Sequence, residues 1–456
     1  MSEPLASRRR RPALILGALA AVGALTLTAA CSTPTVGAEA KPAGATSTPG
    51  VDWSSVTPAS EITWWSNHPG SSQKVEEELI RRFEAENPDI KVKLVTAGAN
   101  YDEVAQRFQA ASQTDELPDL VISSDVWWFR YHLNDQIMAL DDVFEHLDAD
   151  TADFVPTLYG DYEYDGSHWA APYARSTPLF YYNKAMWAAA GLPDRGPKTW
   201  AELEEWSPAL RGQIPADSAP LGMQTGTSWA AWWFENMIWG HGGQYSDSWD
   251  TTLTSPEALE AGEFLRDLFH GSKVATVSTD SNADFAGGLV AATIGSTGSL
   301  KGILDAASFE VGTAYLPDGP DGGGTPTGGT GLAIPSSRPV ENQLAAAMFL
   351  EFLTSTDSTA YFSQNTGYMP VRTSAVESDE MKKVYASTPQ FRTAVDQLAD
   401  RARSQDWIRV FVPGADKILT EAIEQIVLKG EDPKAAFEAI TPQLERAYSE
   451  NVEPYL

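Results

Sequence analysis

Residues 61–125 read EITWWSNHPGSSQKVEEELIRRFEAENPDIKVKLVTAGANYDEVAQRFQAASQTDELPDLVISSD, and the changes of period within them decide the fold class. Glu61 to Trp65 is a short run of strand character. From Ser72 to Asn87 the period becomes helical, with Val75, Leu79, Ile80 and Phe83 on one face, and Pro88 stops the helix. Ile90 to Val95 alternates Ile90, Val92 and Leu94 as a second strand, and Asp102 to Ser112 is helical again. Pro118 to Ile122 is a short buried strand that ends in the polar turn Ser123-Ser124-Asp125. Strand, helix, strand, helix, strand predicts a parallel sheet with right-handed crossovers, hence an α/β fold. Such sheets bind ligands beyond the carboxyl ends of their strands, which places 65–71, 96–101 and 123–128 around a cleft.

Further along, His168 to Arg175 and Leu179 to Asn183 read as extended, and Lys184 to Ala190 and Thr199 to Ser207 as helices. Trp229 to Trp239 is an aromatic helix and Pro256 to Phe269 an amphipathic one. Ala291 to Gly295 is a strand that runs into Ser296-Thr297-Gly298-Ser299 and a helix. Phe309 to Leu316 and Gly331 to Pro335 are strand-like around a glycine-rich loop, Asp318 to Gly329, and are expected to return the chain to the first lobe. The rest is mainly helical. About 395 residues follow the N-terminal segment, too many for a single core, so two lobes are expected. The expected division is 60–173 with 299–350 as one lobe and 174–298 with 351–456 as the other, a clamshell whose chain crosses between lobes at a hinge.

The N-terminus carries Arg8 to Arg11, an apolar run from Ala13 to Leu27, and then Leu27-Thr28-Ala29-Ala30-Cys31. That layout is an export signal, and its end resembles the lipobox of bacterial lipoproteins, with Thr28 where an aliphatic residue is usual. The expectation is a signal over 1–30, lipidation of Cys31 and a flexible tether over 31–59, rich in Pro, Ala, Gly, Thr and Ser. An uncleaved membrane anchor with a chance cysteine is the alternative. The lipid would hold the protein on the extracytoplasmic face of the cell membrane.

A formal net charge of −30 opposes binding to nucleic acid or anionic headgroups. Cys31 is the sole cysteine, so the body has neither disulfides nor thiolate metal sites. The six histidines, His68, His132, His146, His168, His241 and His270, show no ligand spacing. No GxxxxGK[ST], HExxH, GxSxG or nucleotide-type GxGxxG occurs, and no catalytic residue, cofactor or metal is expected.

Several segments together resemble the extracellular solute-binding proteins of ABC importers, in their carbohydrate-type branch. They are Trp64-Trp65-Ser66-Asn67-His68, Phe83-Glu84-Ala85-Glu86-Asn87-Pro88, Leu117-Pro118-Asp119-Leu120, Pro178-Leu179-Phe180-Tyr181-Tyr182-Asn183-Lys184 and Gly367-Tyr368-Met369-Pro370-Val371-Arg372. Within that branch, Tyr101-Asp102-Glu103-Val104, Ala174-Arg175-Ser176-Thr177-Pro178, Ser296-Thr297-Gly298-Ser299 and Gln405-Asp406-Trp407-Ile408-Arg409-Val410-Phe411 are similar to the glycerol-3-phosphate and glycerophosphodiester-binding component of actinobacteria. The resemblance implies a monomeric two-lobe receptor that captures glycerophosphocholine or glycerol-3-phosphate and hands it to a permease.

It also implies a site. Arg409 would meet the phosphate with its planar fork, although a surface ion pair suits an arginine in so acidic a body. Arg175 is a second, weaker candidate. Ser296 stands where a strand gives way to a helix and would offer donors to an anion, or simply cap the helix. Ser176 and Gly329 carry over as further donors. Trp229 and Trp232, three apart on a helix, would face the glycerol part, or belong to a core stripe. Tyr101, Asp125 and Tyr368 fall at the cleft edge, where a carboxylate beside aromatics would take hydroxyls or a quaternary ammonium. Two alternatives remain: an oligosaccharide receptor of maltose or trehalose type, and a secreted glycoside hydrolase with two facing carboxylates.

Overall fold

The computed structural model of the protein describes residues 50–114 and 116–456; the expected export signal and Cys31 lie outside the described residues. Two five-stranded sheets carry the fold. In chain order their strands are β1 (Glu61–Ser66), β2 (Lys91–Thr96), β3 (Leu120–Ser124), β4 (Ala171–Ser176), β5 (Pro178–Asn183), β6 (Leu221–Gln224), β7 (Ala275–Ser278), β8 (Ala292–Ser296), β9 (Val311–Ala314) and β10 (Gly328–Ala333). The first sheet has the order β2-β1-β3-β10-β4 and the second β7-β6-β8-β5-β9.

The opening stretch folds as its periodicity requires. β1 pairs in parallel with β2 and with β3, and the crossovers are the helices α1 (Gln73–Glu86) and α2 (Tyr101–Ala111). β10 closes the sheet antiparallel to β3 and β4. Leu79, Ile80 and Phe83 of α1 are buried as expected, but the fourth core position is Glu76 rather than Val75. The aromatic helix α3 (Ala230–Gly240) is buried on every side in the second lobe. Ten of the fifteen tryptophans are buried, Trp64, Trp128, Trp187, Trp200 and Trp233 fully, so most of the tryptophan content serves the cores.

The chain passes between the sheets at Thr177 and again just before β10. The two passages lie side by side, the Thr177 hydroxyl donating to Pro326 O at 3.1 Å. The boundaries differ from expectation in three places. β9 pairs antiparallel with β5 and so belongs to the second sheet, not to the first lobe. A four-residue apolar strand reports that it is buried and is silent about its partner. The helix Thr356–Thr366 packs against α1 and so lies with the first lobe. Finally, the tether stops short of Ala59. Trp53 is buried, Ser54 N donates to Asp52 Oδ1 at 3.2 Å and Ala59 N donates to Glu341 O at 2.9 Å, because an indole at the head of the segment has a core to enter.

Candidate ligand-binding site

A cavity of about 630 Å³ lies between the lobes and is lined from both. The first lobe supplies the turns that follow its parallel strands: Asn67 and Gly70 after β1, Asn100, Tyr101 and Asp102 after β2, and Asp125 after β3. These are the carboxyl ends that an α/β sheet presents to ligand. The second lobe supplies residues 224–229 after β6 and Ser296, Gly298 and Ser299 at the end of β8, while Ser176, Gly329, Tyr368 and Arg409 complete the wall.

Two phenols meet at one end. The Tyr101 and Tyr368 hydroxyls are 3.4 Å apart. Burial raises the pKa of both, so each keeps its proton and stays a donor. The Tyr368 ring lies against Gly298, where an added Cβ would stand 2.5 Å from it. Ser296 Oγ accepts from Gly298 N at 3.1 Å, so this hydroxyl caps the turn into the helix Leu300–Ala306. Gly329 has φ +101°, and a Cβ there would stand 2.1 Å from Ala174 O, so only glycine suits the bulge that brings this backbone to the cavity.

A second group in the wall is charged. Arg409 is 2% exposed, on the short helix Trp407–Phe411. Its Nη2 lies 2.9 Å from Asp416 Oδ1 and its Nη1 3.8 Å from Glu235 Oε2. Burial works to lower its pKa, but Asp416, Glu235 and Asp125 outweigh it and hold the guanidinium charged. Burial also raises Glu235 well above the usual carboxylate range. Asp125 accepts from Ser124 Oγ at 2.9 Å and from Gln405 Nε2 at 2.8 Å. Trp232 is anchored through Nε1, which donates to Thr327 O at 2.8 Å, and the Trp229 ring meets it edge-on at 6.2 Å.

All nine candidates, Tyr101, Asp125, Ser176, Trp229, Trp232, Ser296, Gly329, Tyr368 and Arg409, therefore line one cavity. Arg175 does not. It is wholly buried, paired with Asp161 and donating to the Tyr162 hydroxyl at 2.8 Å, so its charge serves the passage between lobes. Sequence reasoning passed over Asp102, which adjoins Tyr101 and lines the cavity, and over Gln405, Asp416 and Glu235. Asp102 had a signal in its position at a strand-to-helix turn. Gln405 supports Arg409 from its own segment, and Asp416 and Glu235 do so from the helices Ala415–Lys429 and α3. Among the described residues no helix is long and apolar enough to cross a membrane, and no cluster of His, Cys, Asp or Glu could hold a metal ion.

Known proteins share this arrangement. A profile described as bacterial extracellular solute-binding protein matches residues 78–393. The sn-glycerol-3-phosphate-binding periplasmic protein UgpB of Escherichia coli K12 is 28% identical over 362 residues, which cover 75% of this chain and 81% of that protein. The structure of UgpB from Mycobacterium tuberculosis, in complex with glycerophosphocholine, superposes with a TM-score of 0.82 at 45% identity, covering 86% of this chain and 99% of the other. The GacH receptor of Streptomyces glaucescens, at 21% identity and a TM-score of 0.75 over 87% of this chain and all of its own, shares the two-lobe fold. Solute-binding proteins capture small molecules outside the cytoplasm and deliver them to ABC permeases, and with its cavity between two α/β lobes this chain belongs to the bacterial extracellular solute-binding protein family.

Proposed function

We propose that this chain is the lipid-anchored, monomeric receptor of an importer for glycerophosphodiesters, with glycerophosphocholine preferred to glycerol-3-phosphate, and that it releases its ligand chemically unchanged. The observation that carries the choice is the charge of the cavity wall. Among the described residues the cavity is lined by two carboxylates, Asp102 and Asp125, and one cation, Arg409, whose charge Asp416 already compensates. A dianionic phosphate monoester is opposed by such a wall, whereas a zwitterion carries its own cation to it. The 45% identical mycobacterial protein, solved with glycerophosphocholine, supports the same ligand.

The two ends divide the ligand. A hydroxyl both donates and accepts, so the adjacent hydroxyls of glycerol suit an arginine and an aspartate side by side, and Asp125 with Arg409 takes them. The phosphate goes to the Tyr101 and Tyr368 phenols and the Ser176 hydroxyl, donors with no hydrogen bond to a carboxylate among the described residues. This moves the phosphate away from Arg409, where the family resemblance puts it, because the guanidinium is ion-paired. The Trp229 ring is left for the quaternary ammonium. Cys31 and the segment before it supply the anchor and the extracytoplasmic location.

Calorimetric titration of the mature protein with glycerophosphocholine, glycerol-3-phosphate and maltose tests the reading. Glycerophosphocholine should bind at least about 10-fold more tightly than glycerol-3-phosphate, one lost charge-compensated contact, with no heat from maltose. Maltose binding with both phosphates silent would sink it.

A further inference from the structure

Gln405 lies behind the cavity wall, yet it touches both charges that the wall presents. Its Nε2 donates to Asp125 Oδ2 at 2.8 Å, and its Oε1 accepts from Arg409 Nη1. The side chain is buried, 6% exposed. Asp125 follows β3 of the first lobe, whereas Gln405 and Arg409 come from the segment at the start of the helix Trp407–Phe411. The contact therefore joins residues 280 apart in sequence and spans the cleft floor.

A carboxamide is a neutral group that can donate to a carboxylate and accept from a guanidinium at the same time. Interposed here, it satisfies one Asp125 oxygen and one Arg409 nitrogen. The ion pairs of Arg409 run to Asp416 and Glu235 and not to Asp125. Arg409 Nε is buried and has no hydrogen-bond partner among the described residues. Without the amide, the shortest way for Asp125 and Arg409 to satisfy one another would be direct pairing, which would consume the acceptor and the donor that a ligand needs.

We infer that Gln405 is a positioning residue that holds Asp125 and Arg409 apart as a spaced acceptor and donor, and so tunes the site to ligands with adjacent hydroxyls. This rests on the reading of that end of the cavity as the hydroxyl end. Gln405 acts through its two neighbours and makes no ligand contact itself. Because its partners sit on different lobes, the spacing is set only when the lobes are together, so the same hydrogen bonds that shape the site also favour the closed arrangement.

Two variants separate this role from simple support of the fold. Gln405→Glu keeps the acceptor for Arg409 but sets a carboxylate against Asp125. Acidification returns one proton to that carboxyl pair and with it the missing donor. Gln405→Met keeps the length and removes both functions at every pH. The charged groups around the position are Asp125 after β3, Arg403, Asp406 and Arg409 on its own segment, Glu235 on α3, Asp416 on the helix Ala415–Lys429, and the Arg175–Asp161 pair. A carboxylate at 405 couples to this set, whereas Gln405→Met adds no charge to it, so the difference between the two variants isolates what the new carboxyl contributes.

The dissociation constant for glycerophosphocholine is measured from pH 5 to pH 8 for the wild-type mature protein and both variants. At pH 7.5 each variant should bind about 10- to 100-fold more weakly, the loss of hydrogen bonds to charged groups. On acidification the ratio of Gln405→Glu to wild type should fall at least about 5-fold while that of Gln405→Met stays flat. Either variant binding within two-fold of wild type at pH 7.5, or a Gln405→Glu ratio independent of pH, overturns the inference. Should Gln405→Glu not fold, Gln405→Met decides alone: weak binding at an unchanged melting temperature supports the role, and unchanged binding removes it. If the wild type binds maltose and no phosphodiester, the proposed ligand is wrong, and the same comparison run with maltose still decides Gln405.

Discussion

Gly298 sits under the Tyr368 ring so closely that a methyl group there would lie inside van der Waals contact, with ring carbons at 2.5 to 2.9 Å. The glycine therefore sets where the phenol stands, and the phenol sets the distance to Tyr101. Gly298→Ala should displace Tyr368 and weaken glycerophosphocholine binding by about 10-fold, while the melting temperature falls by only a few degrees. Calorimetry alongside thermal denaturation checks this, and unchanged affinity would mean that Tyr368 does not face the ligand. Arg409 shows the opposite kind of dependence at the same scale. Its identity is plain in the sequence, whereas its availability is decided by Asp416 and Glu235, which the sequence does not place beside it.

The loop between β1 and α1 shows how a secondary element aims part of the site. Glu76, in the first turn of α1, is wholly buried. It accepts from Ser66 Oγ at 2.8 Å and Ser72 Oγ at 3.1 Å, and it lies 2.5 Å from His68 Nδ1. His68 has φ +54° and Ser71 φ +60°, so this carboxylate holds a left-handed turn that carries Asn67 and Gly70 to the cavity. The hydrogen bond to Glu76 raises the His68 pKa, with burial opposing it and the Glu76 charge adding to it. A raised folded value means that the charged pair contributes stability in full below the ordinary histidine value of about 6.5, and that the contribution fades as pH climbs through the raised value. Thermal melts from pH 6 to pH 9 should show wild type losing stability relative to His68→Asn as pH rises. Parallel curves for the two proteins would discount the pair. Helical periodicity assigns Val75 to the core here, because periodicity counts apolar residues and does not see that three donors make a carboxylate welcome.

At the scale of the whole molecule, the lobes meet beyond the cavity through aromatic rings. Phe411, on the helix that carries Arg409, packs against Phe129 at 4.6 Å and Trp128 at 6.0 Å, both from the segment after β3. Trp249 and Trp407 of the second lobe extend the cluster. Apolar contact across the cleft favours the closed state whether or not ligand is present, so ligand has less work to do. Phe411→Ala should weaken closure by about 2 kcal/mol, a partly buried phenylalanine's worth, and so raise the dissociation constant by up to about 30-fold. Small-angle scattering should show a larger radius of gyration for the ligand-free variant than for wild type. An identical radius and affinity would assign these rings to the individual lobes.

The features legible along the chain are local: the alternation of strands and helices, hence the α/β class, and the turns at strand ends, hence the neighbourhood of Tyr101, Asp125, Ser296 and Tyr368. Periodicity carries that much because it records which face of an element leaves water. Tertiary structure alone decided that β9 joins β5 in the second sheet, that Trp53 enters the core, that Arg175 serves the passage between lobes while Arg409 reaches the cavity, and that Gln405 stands between Asp125 and Arg409. Each of these depends on which distant segment a side chain is buried against. Charge compensation and hydrogen bonding act across a few ångströms of space, whatever the separation along the chain.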